Sequence, residues 1–272
     1  MKPQSISEQM MYNTVRIETS NGSCGTGSHF DFKVGDIVVP VIITNKHVIN
    51  DNCDEETTFF LHTVGSDGPD ANLKVTYRTH WIFHKDKDIC YCYIAPLLEE
   101  IMKRHGKRIY RISNDESIVP TTEKLQELSA LEELVMVGYP IGLWDVRNNF
   151  PIFRKGYTAC HPAIDFNRDG IGLVDIACFP GSSGSPIYIL NEGGYKDKKG
   201  NTYLGVSRLL LLGYLFAGPT YDAAGELIIR NIPTHQKIAA TTPIMANLGY
   251  YVKSSVLLEF KDMIQKDLQR LP

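Results

Sequence analysis

Across the first hundred residues the chain runs in short segments rich in Val, Ile, Thr, Phe and Tyr, broken by turn formers, and no segment keeps a helical period. Residues 14–19, 25–32, 36–44, 57–63, 73–79 and 89–94 fit strands, separated by turns such as Asp67-Gly68-Pro69-Asp70. Six strands this short cannot each bury a face alone. A small closed barrel satisfies them and removes open edges. Residues 97–105 then turn helical, with Gly106 as a C-cap, and 122–131 is a second helical segment. Strands resume at 133–138, 150–160, 172–178, 185–190, 203–216 and 227–229, around a polar Gly/Lys-rich loop at 191–201. Ser254 or Ser255 is placed to cap a last helix whose apolar face runs Val256, Phe260, Ile264, Leu268. The expectation is an all-β chain of two packed six-stranded antiparallel barrels. They occupy residues 1–96 and 131–253, with a connection over 97–130 and a C-terminal helix over 254–272.

A chain of 272 residues with 43% hydrophobic content can bury such cores. A formal charge of −3 gives no electrostatic reason to invoke nucleic acid or an anionic membrane. No apolar run spans a bilayer; the richest, 209–216, has strand length. Residues 1–7 lack the apolar stretch of a secretory signal, so a cytoplasmic location is expected. The six cysteines show no metal-ligand spacing, and Cys90 and Cys92 alternate with Ile89, Tyr91 and Tyr93 on one strand. Free buried thiols in a reducing compartment are expected, with no metal and no cofactor.

Chemistry is concentrated in two segments. Ser183 sits in Phe179-Pro180-Gly181-Ser182-Ser183-Gly184-Ser185-Pro186, where glycines let the chain reverse while its amides converge. His47 follows an apolar run in Thr44-Asn45-Lys46-His47-Val48-Ile49. A serine hydroxyl attacks only when a histidine takes its proton and a carboxylate orients that histidine. The order His, acid, Ser is available here. With Gly25-Thr26-Gly27-Ser28 ahead of the histidine, these segments resemble the trypsin-like (chymotrypsin-fold) serine peptidases, closest to the bacterial HtrA-type and glutamyl-endopeptidase-type branches.

The resemblance implies roles for particular residues. Ser183 is the nucleophile, His47 the general base, and the amides of Gly181 and Ser183 form the oxyanion hole. Asp88, before Ile89-Cys90-Tyr91, matches the family's acid segment; Asp86 in the same loop is the alternative. Ser182 stands where many relatives carry an aspartate, so that activation contact is expected to be absent. Ala177, six residues before Ser183, occupies the base of the pocket, with Tyr214 and Ala217 along its wall. No charge is expected there unless Asp165, Asp169 or Asp175 reaches it, so an apolar side chain is expected before the cut bond. HtrA-type relatives continue into a peptide-binding PDZ domain; none is expected after the final helix. The implied activity is peptide-bond hydrolysis of a protein or peptide substrate through an acyl-enzyme. The alternative is a catalytically silent fold acting as a protein-binding module. Control by a regulatory protein partner, a distorted resting site or a narrow specificity are all compatible with the sequence.

Overall fold

The structure is a computed structural model describing residues 2–226 and 239–270, with backbone alone at 221–226 and 239–245. The segment 227–229, expected as a strand, lies outside the described residues. In the first half, α1 (Ile6–Met10) leads into β1 (Thr14–Thr19), β2 (Cys24–Val34) and β3 (Ile37–Thr44). Then follow β4 (Glu56–Gly65), β5 (Gly68–Arg78), β6 (Trp81–Phe83) and β7 (Cys90–Tyr93). α2 (Ala95–His105), β8 (Ile109–Tyr110) and α3 (Thr122–Gln126) connect to the second half. There β9 (Glu133–Gly138), β10 (Ile152–Thr158), β11 (Ile171–Asp175) and β12 (Pro186–Asn191) precede the β13 (Gly194–Lys196) and β14 (Thr202–Leu204) hairpin. β15 (Arg208–Ala217), a second hairpin of β16 (Thr220–Glu226) and β17 (Ala239–Met245), β18 (Leu248–Lys253) and α4 (Val256–Gln269) complete the order.

The second half holds a closed antiparallel barrel in the order β10-β11-β18-β15-β12-β9. The first half is an eight-stranded sheet, β5-β4-β1-β2-β3-β7-β6, with β8 paired to β4. The six expected strands are thus joined by two more, each too short to show a period. The sheet curls around its own core: Val75 of β5 and Trp81 of β6, from its two ends, share one cluster with Ile17, Ile42, Phe59 and Cys90. Trp81 stacks on Phe59 with ring centroids 6.3 Å apart.

Alternation decides which side chains fill which core. On β9, Leu134 and Met136 point into the barrel with Ile187, Ile189 and Leu212. Val135 and Val137 point outward, against Phe30, Phe32, Val41 and Tyr91 of the first sheet. β7 follows the same rule, with Cys90 and Cys92 inside the first sheet and Tyr91 between the halves. All six cysteines are free; Cys90, Cys92 and Cys178 are buried, while Cys24, Cys53 and Cys160 are half-buried.

α4 seals the seam between the halves with Val256, Leu257, Phe260 and Ile264, all in the shared core. Neither expected serine caps it through its side chain. Ser255 makes no cap bond, and Ser254 Oγ instead donates to the Leu211 carbonyl at 2.6 Å, tying the helix to the barrel. α1, by contrast, carries a full capping box between Ser5 and Glu8. Among the described residues no helix is long and apolar enough to cross a membrane.

Candidate active site

Two strand registers and a pair of hydrogen bonds carry the expected site residues to one edge between the halves. β3 pairs with β7 so that Thr44 lies opposite Cys90, which sets the turn bearing His47 beside the loop bearing Asp88. β2 pairs with β3 with Ser28 opposite Ile43, placing Thr26 under the same turn. The Thr26 amide donates to the Ser183 carbonyl at 2.9 Å, and Thr44 Oγ1 donates to the Thr26 carbonyl at 2.7 Å. Ser183 is thereby fastened three residues from His47 through Thr26 and Thr44. No hydrogen bond joins His47 Nε2 to Ser183 Oγ among the described residues.

His47 opens a single 3-10 turn at the end of β3. Its Nδ1 lies 2.5 Å from Asp88 Oδ2. Asp88 Oδ1 accepts the amides of Lys46 (2.8 Å) and His47 (3.3 Å), while Asn45 Nδ2 donates to the Asp88 carbonyl at 2.6 Å. A carboxylate only accepts, so Nδ1 carries the proton and Nε2 keeps its lone pair. Of the two candidate aspartates, Asp88 meets the imidazole; Asp86 is exposed, and only its amide takes part, donating to His84 Nδ1 at 3.1 Å. His47 and Asp88 are 41% and 29% exposed, so the pair is open to an arriving molecule.

His84 builds the acid's loop. Its buried ring accepts the amides of Asp86 and Lys87 on Nδ1 and bonds Glu259 of α4 through Nε2 at 3.1 Å. These bonds shape the loop and tie it to α4.

The serine loop offers three hydroxyls, and the surroundings separate them. Ser182 and Ser185 are fully buried. Ser182 Oγ accepts from Arg154 Nη1 (2.6 Å) and the Phe179 amide (3.3 Å); Ser185 Oγ donates to Thr26 Oγ1 at 3.2 Å. Ser183 alone of the three is partly exposed. The loop needs its glycines: Gly184 has φ +81, and a Cβ there would fall 1.9 Å from the Thr26 carbonyl oxygen.

Gly181 has φ +84, and its orientation is fixed from the other side of the site. Ile141 N–H donates to the Pro180 carbonyl at 2.5 Å. In a planar trans peptide the N–H points opposite to the preceding carbonyl, so Gly181 N–H faces away from residue 141. Likewise the Ser182 carbonyl accepts from Ser185 N–H, turning Ser183 N–H the other way. Among the described residues neither the Gly181 nor the Ser183 amide has a protein acceptor. Two amides free to bind an anion flank the partly exposed hydroxyl. Ile141 holds this arrangement at φ +54, a conformation that β-branched residues avoid.

Of the expected pocket residues, Ala177 is half-buried beside the loop and Ala217 is exposed at the end of β15. Tyr214 is a correction. It is fully buried in the core between the halves, with its hydroxyl 3.1 Å from Ser28 Oγ, which leaves no surface of it for a substrate. Asp165 is taken by Lys253 at 2.6 Å, and Asp175 is exposed at the end of β11. Sequence reasoning also missed Thr26 as a hub and Arg154 behind the loop. Thr26 Oγ1 accepts the Tyr139 amide at 3.1 Å as well as the Ser185 hydroxyl. Away from the site, Cys53, Asp54 and His80 bring one ligand atom each within 4.8 Å of one another; Asp54 and His80 already share a 2.9 Å hydrogen bond.

No protein-family profile and no curated protein matches the chain. Among solved structures it is similar to the scabies mite inactivated protease paralogue S-I1, at 11% identity over 97% of both chains, with a TM-score of 0.47. It is also similar to the serine protease of a human-pathogenic astrovirus, at 12% identity over 89% of both chains, with a TM-score of 0.41. Likenesses this distant say nothing about which residues act.

Proposed function

We propose that the protein is a serine endopeptidase of the trypsin-like kind, with Ser183, His47 and Asp88 as its catalytic residues. The observation that carries this reading is the 2.5 Å contact of His47 Nδ1 with Asp88 Oδ2, linked through Thr44 and Thr26 to a serine flanked by two amides without a protein acceptor. In the first half-reaction Ser183 Oγ attacks the scissile carbonyl carbon and His47 Nε2 takes the hydroxyl proton. The carbonyl oxygen, now negative, is held by the amides of Gly181 and Ser183, each worth about 3–4 kcal/mol in such sites. Collapse breaks the C–N bond, the proton passes from His47 to the departing amine, and an ester to Ser183 is left. Water repeats the sequence with His47 again as base and releases the acid. Asp88 keeps the imidazole in the accepting tautomer and stabilises the imidazolium that forms.

Cleavage of a denatured protein by the wild type, followed by mass spectrometry, tests the proposal. Loss of every cut in both Ser183→Ala and His47→Ala is expected. A wild type that cuts nothing yet binds a protein tightly would instead establish the silent binding module.

A further inference from the structure

Arg154 presents a problem that the proposed chemistry does not absorb. It lies on β10 opposite Met136, whose side chain fills the barrel interior, so the arginine too points inward. Its Nη1 donates to the Ala177 carbonyl at 2.9 Å and to Ser182 Oγ at 2.6 Å, the residue between the two amides of the anion site. Nε and Nη2 have neither solvent nor a partner. No carboxylate among the described residues faces the guanidinium; burial pushes its pKa down to about 10, which leaves it cationic at neutral pH. Proteins rarely keep a buried cation with unpaired N–H groups, because its desolvation is not offset by any counter-ion. Ser182, which it touches, has no charge to give.

We infer that Arg154 is the specificity determinant of the site and that it selects an acidic side chain, Glu or Asp, at the residue whose carbonyl is attacked (P1). The inference rests on Ser183 being the nucleophile. With that carbonyl held by the Gly181 and Ser183 amides, the P1 side chain runs down the wall formed by residues 177–183. Arg154 stands behind that wall, at Ala177 and Ser182. The residue as a whole is only half-buried, and turning its terminal torsions would bring the unpaired N–H edge to an incoming carboxylate in the two-pronged geometry that guanidinium groups favour. The half-buried Ala177 leaves room and brings no charge of its own. An apolar pocket, expected from the residues around Ser183 alone, is replaced by a basic one whose charge comes from an earlier strand. Lys or Arg at P1 would meet like charge, and an apolar P1 would leave the guanidinium unpaired.

The test has two steps on the full chain. A fluorophosphonate probe first reports whether Ser183 is a nucleophile at all, independently of P1. A peptide library read by mass spectrometry then reports P1. Glu and Asp should dominate, with kcat/KM at least about 10²-fold above the Gln and Asn counterparts. R154M should bring the Glu-to-Gln ratio near one, whereas R154K, which keeps a cation, should retain part of it. If Arg154 only braced Ser182, R154M would lower cleavage after every P1 residue by the same factor and leave the ratio intact. Labelling of Ser183 together with apolar or basic P1 dominance overturns this inference alone. An unlabelled, inactive wild type overturns the proposed function and the inference with it.

Discussion

Replacing Asp88 by Asn isolates the orienting role of the carboxylate, because the surroundings dictate how the amide must sit. In the wild type Oδ1 accepts two backbone N–H groups, from Lys46 and His47, and Oδ2 meets His47 Nδ1. Asparagine has one oxygen and one NH₂. Two fixed amide donors claim the oxygen, so the NH₂ is turned to Nδ1 and can only donate to it. Nδ1 must then accept, the ring proton moves to Nε2, and the histidine loses the lone pair that takes the serine proton. Where a triad aspartate is replaced this way, turnover falls about 10⁴-fold, close to 5.5 kcal/mol of transition-state stabilisation. Substrate binding should change little, since Asp88 lies behind His47. The fold should survive with a loss of about 1 kcal/mol, because the retained oxygen keeps the backbone bonds. The assay is kcat and KM on one fluorogenic peptide, with circular dichroism as a check on folding. Asp86→Asn is the control: its side chain is exposed, and only its backbone bonds His84, so kcat should stay within about threefold. A folded Asp88→Asn retaining more than a tenth of wild-type kcat, or an Asp86→Asn loss of equal size, would refute the tautomer argument.

Three further perturbations follow from the geometry. Gly181→Ala places a Cβ 2.7 Å from the Tyr139 carbonyl oxygen at φ +84, so the peptide must shift; kcat should fall about 10²–10³-fold with KM nearly unchanged, and a rise in KM with kcat unchanged would count against the anion site. Ile141→Gly keeps the N–H that holds the Pro180 carbonyl while removing a strained, 69% exposed side chain, so urea unfolding should show about 0.5–1 kcal/mol of added stability; a loss of stability would mean the conformation is not strained. His29 is buried with Nδ1 unpartnered, and burial, then Arg111 and His62, push its pKa down from 6.5 to about 3. The unfolded chain therefore takes up the proton first. The stability from keeping this ring neutral is complete above pH 6.5 and declines as pH falls toward 3, by about 1.4 kcal/mol per unit. Unfolding curves at pH 7.5 and 4.5 should differ by about 2–3 kcal/mol more in wild type than in His29→Gln, and equal differences would remove His29 as the acid-sensitive group.

Much of the architecture was legible because burial on one or both faces leaves a periodic trace. β1 and β9 fall at 14–19 and 133–138 as expected, and α4 buries Val256, Phe260 and Ile264 on the predicted face. Elements without such a trace were missed. β13 lies inside what composition marks as a polar loop and pairs with β14, which the expected strand at 203–216 ran together with β15; β18, which closes the barrel, is a six-residue strand with a glycine in it. Tyr214 came from the resemblance alone, and a tyrosine within the apolar run of β15 carries no mark in the sequence of which face it takes; here it faces the core between the halves. Sequence ranks Asp88 above Asp86 but leaves both in one loop, since loop residues have no period; in the structure Asp88 meets two backbone amides and the imidazole, while the Asp86 side chain is exposed. Arg154 was invisible for a plainer reason. A lone arginine between Phe153 and Lys155 looks like a solvent-facing strand residue, and only pairing with Met136 shows that it faces inward. Thr26 was noticed within Gly25-Thr26-Gly27 but its work was not, because its partners, Tyr139, Ser183 and Ser185, lie more than a hundred residues away in sequence.

The proposed chemistry stands or falls with Ser183, activated by His47, acting as a nucleophile. The most direct measurement is reaction of the native protein with a fluorophosphonate, followed by peptide mapping of the adduct by mass spectrometry. A single adduct on Ser183 is expected, abolished by prior unfolding and by Ser183→Ala, and slowed by several orders of magnitude in His47→Ala. Labelling of Ser182 or Ser185, labelling that persists in Ser183→Ala, or a folded wild type that never reacts would contradict it.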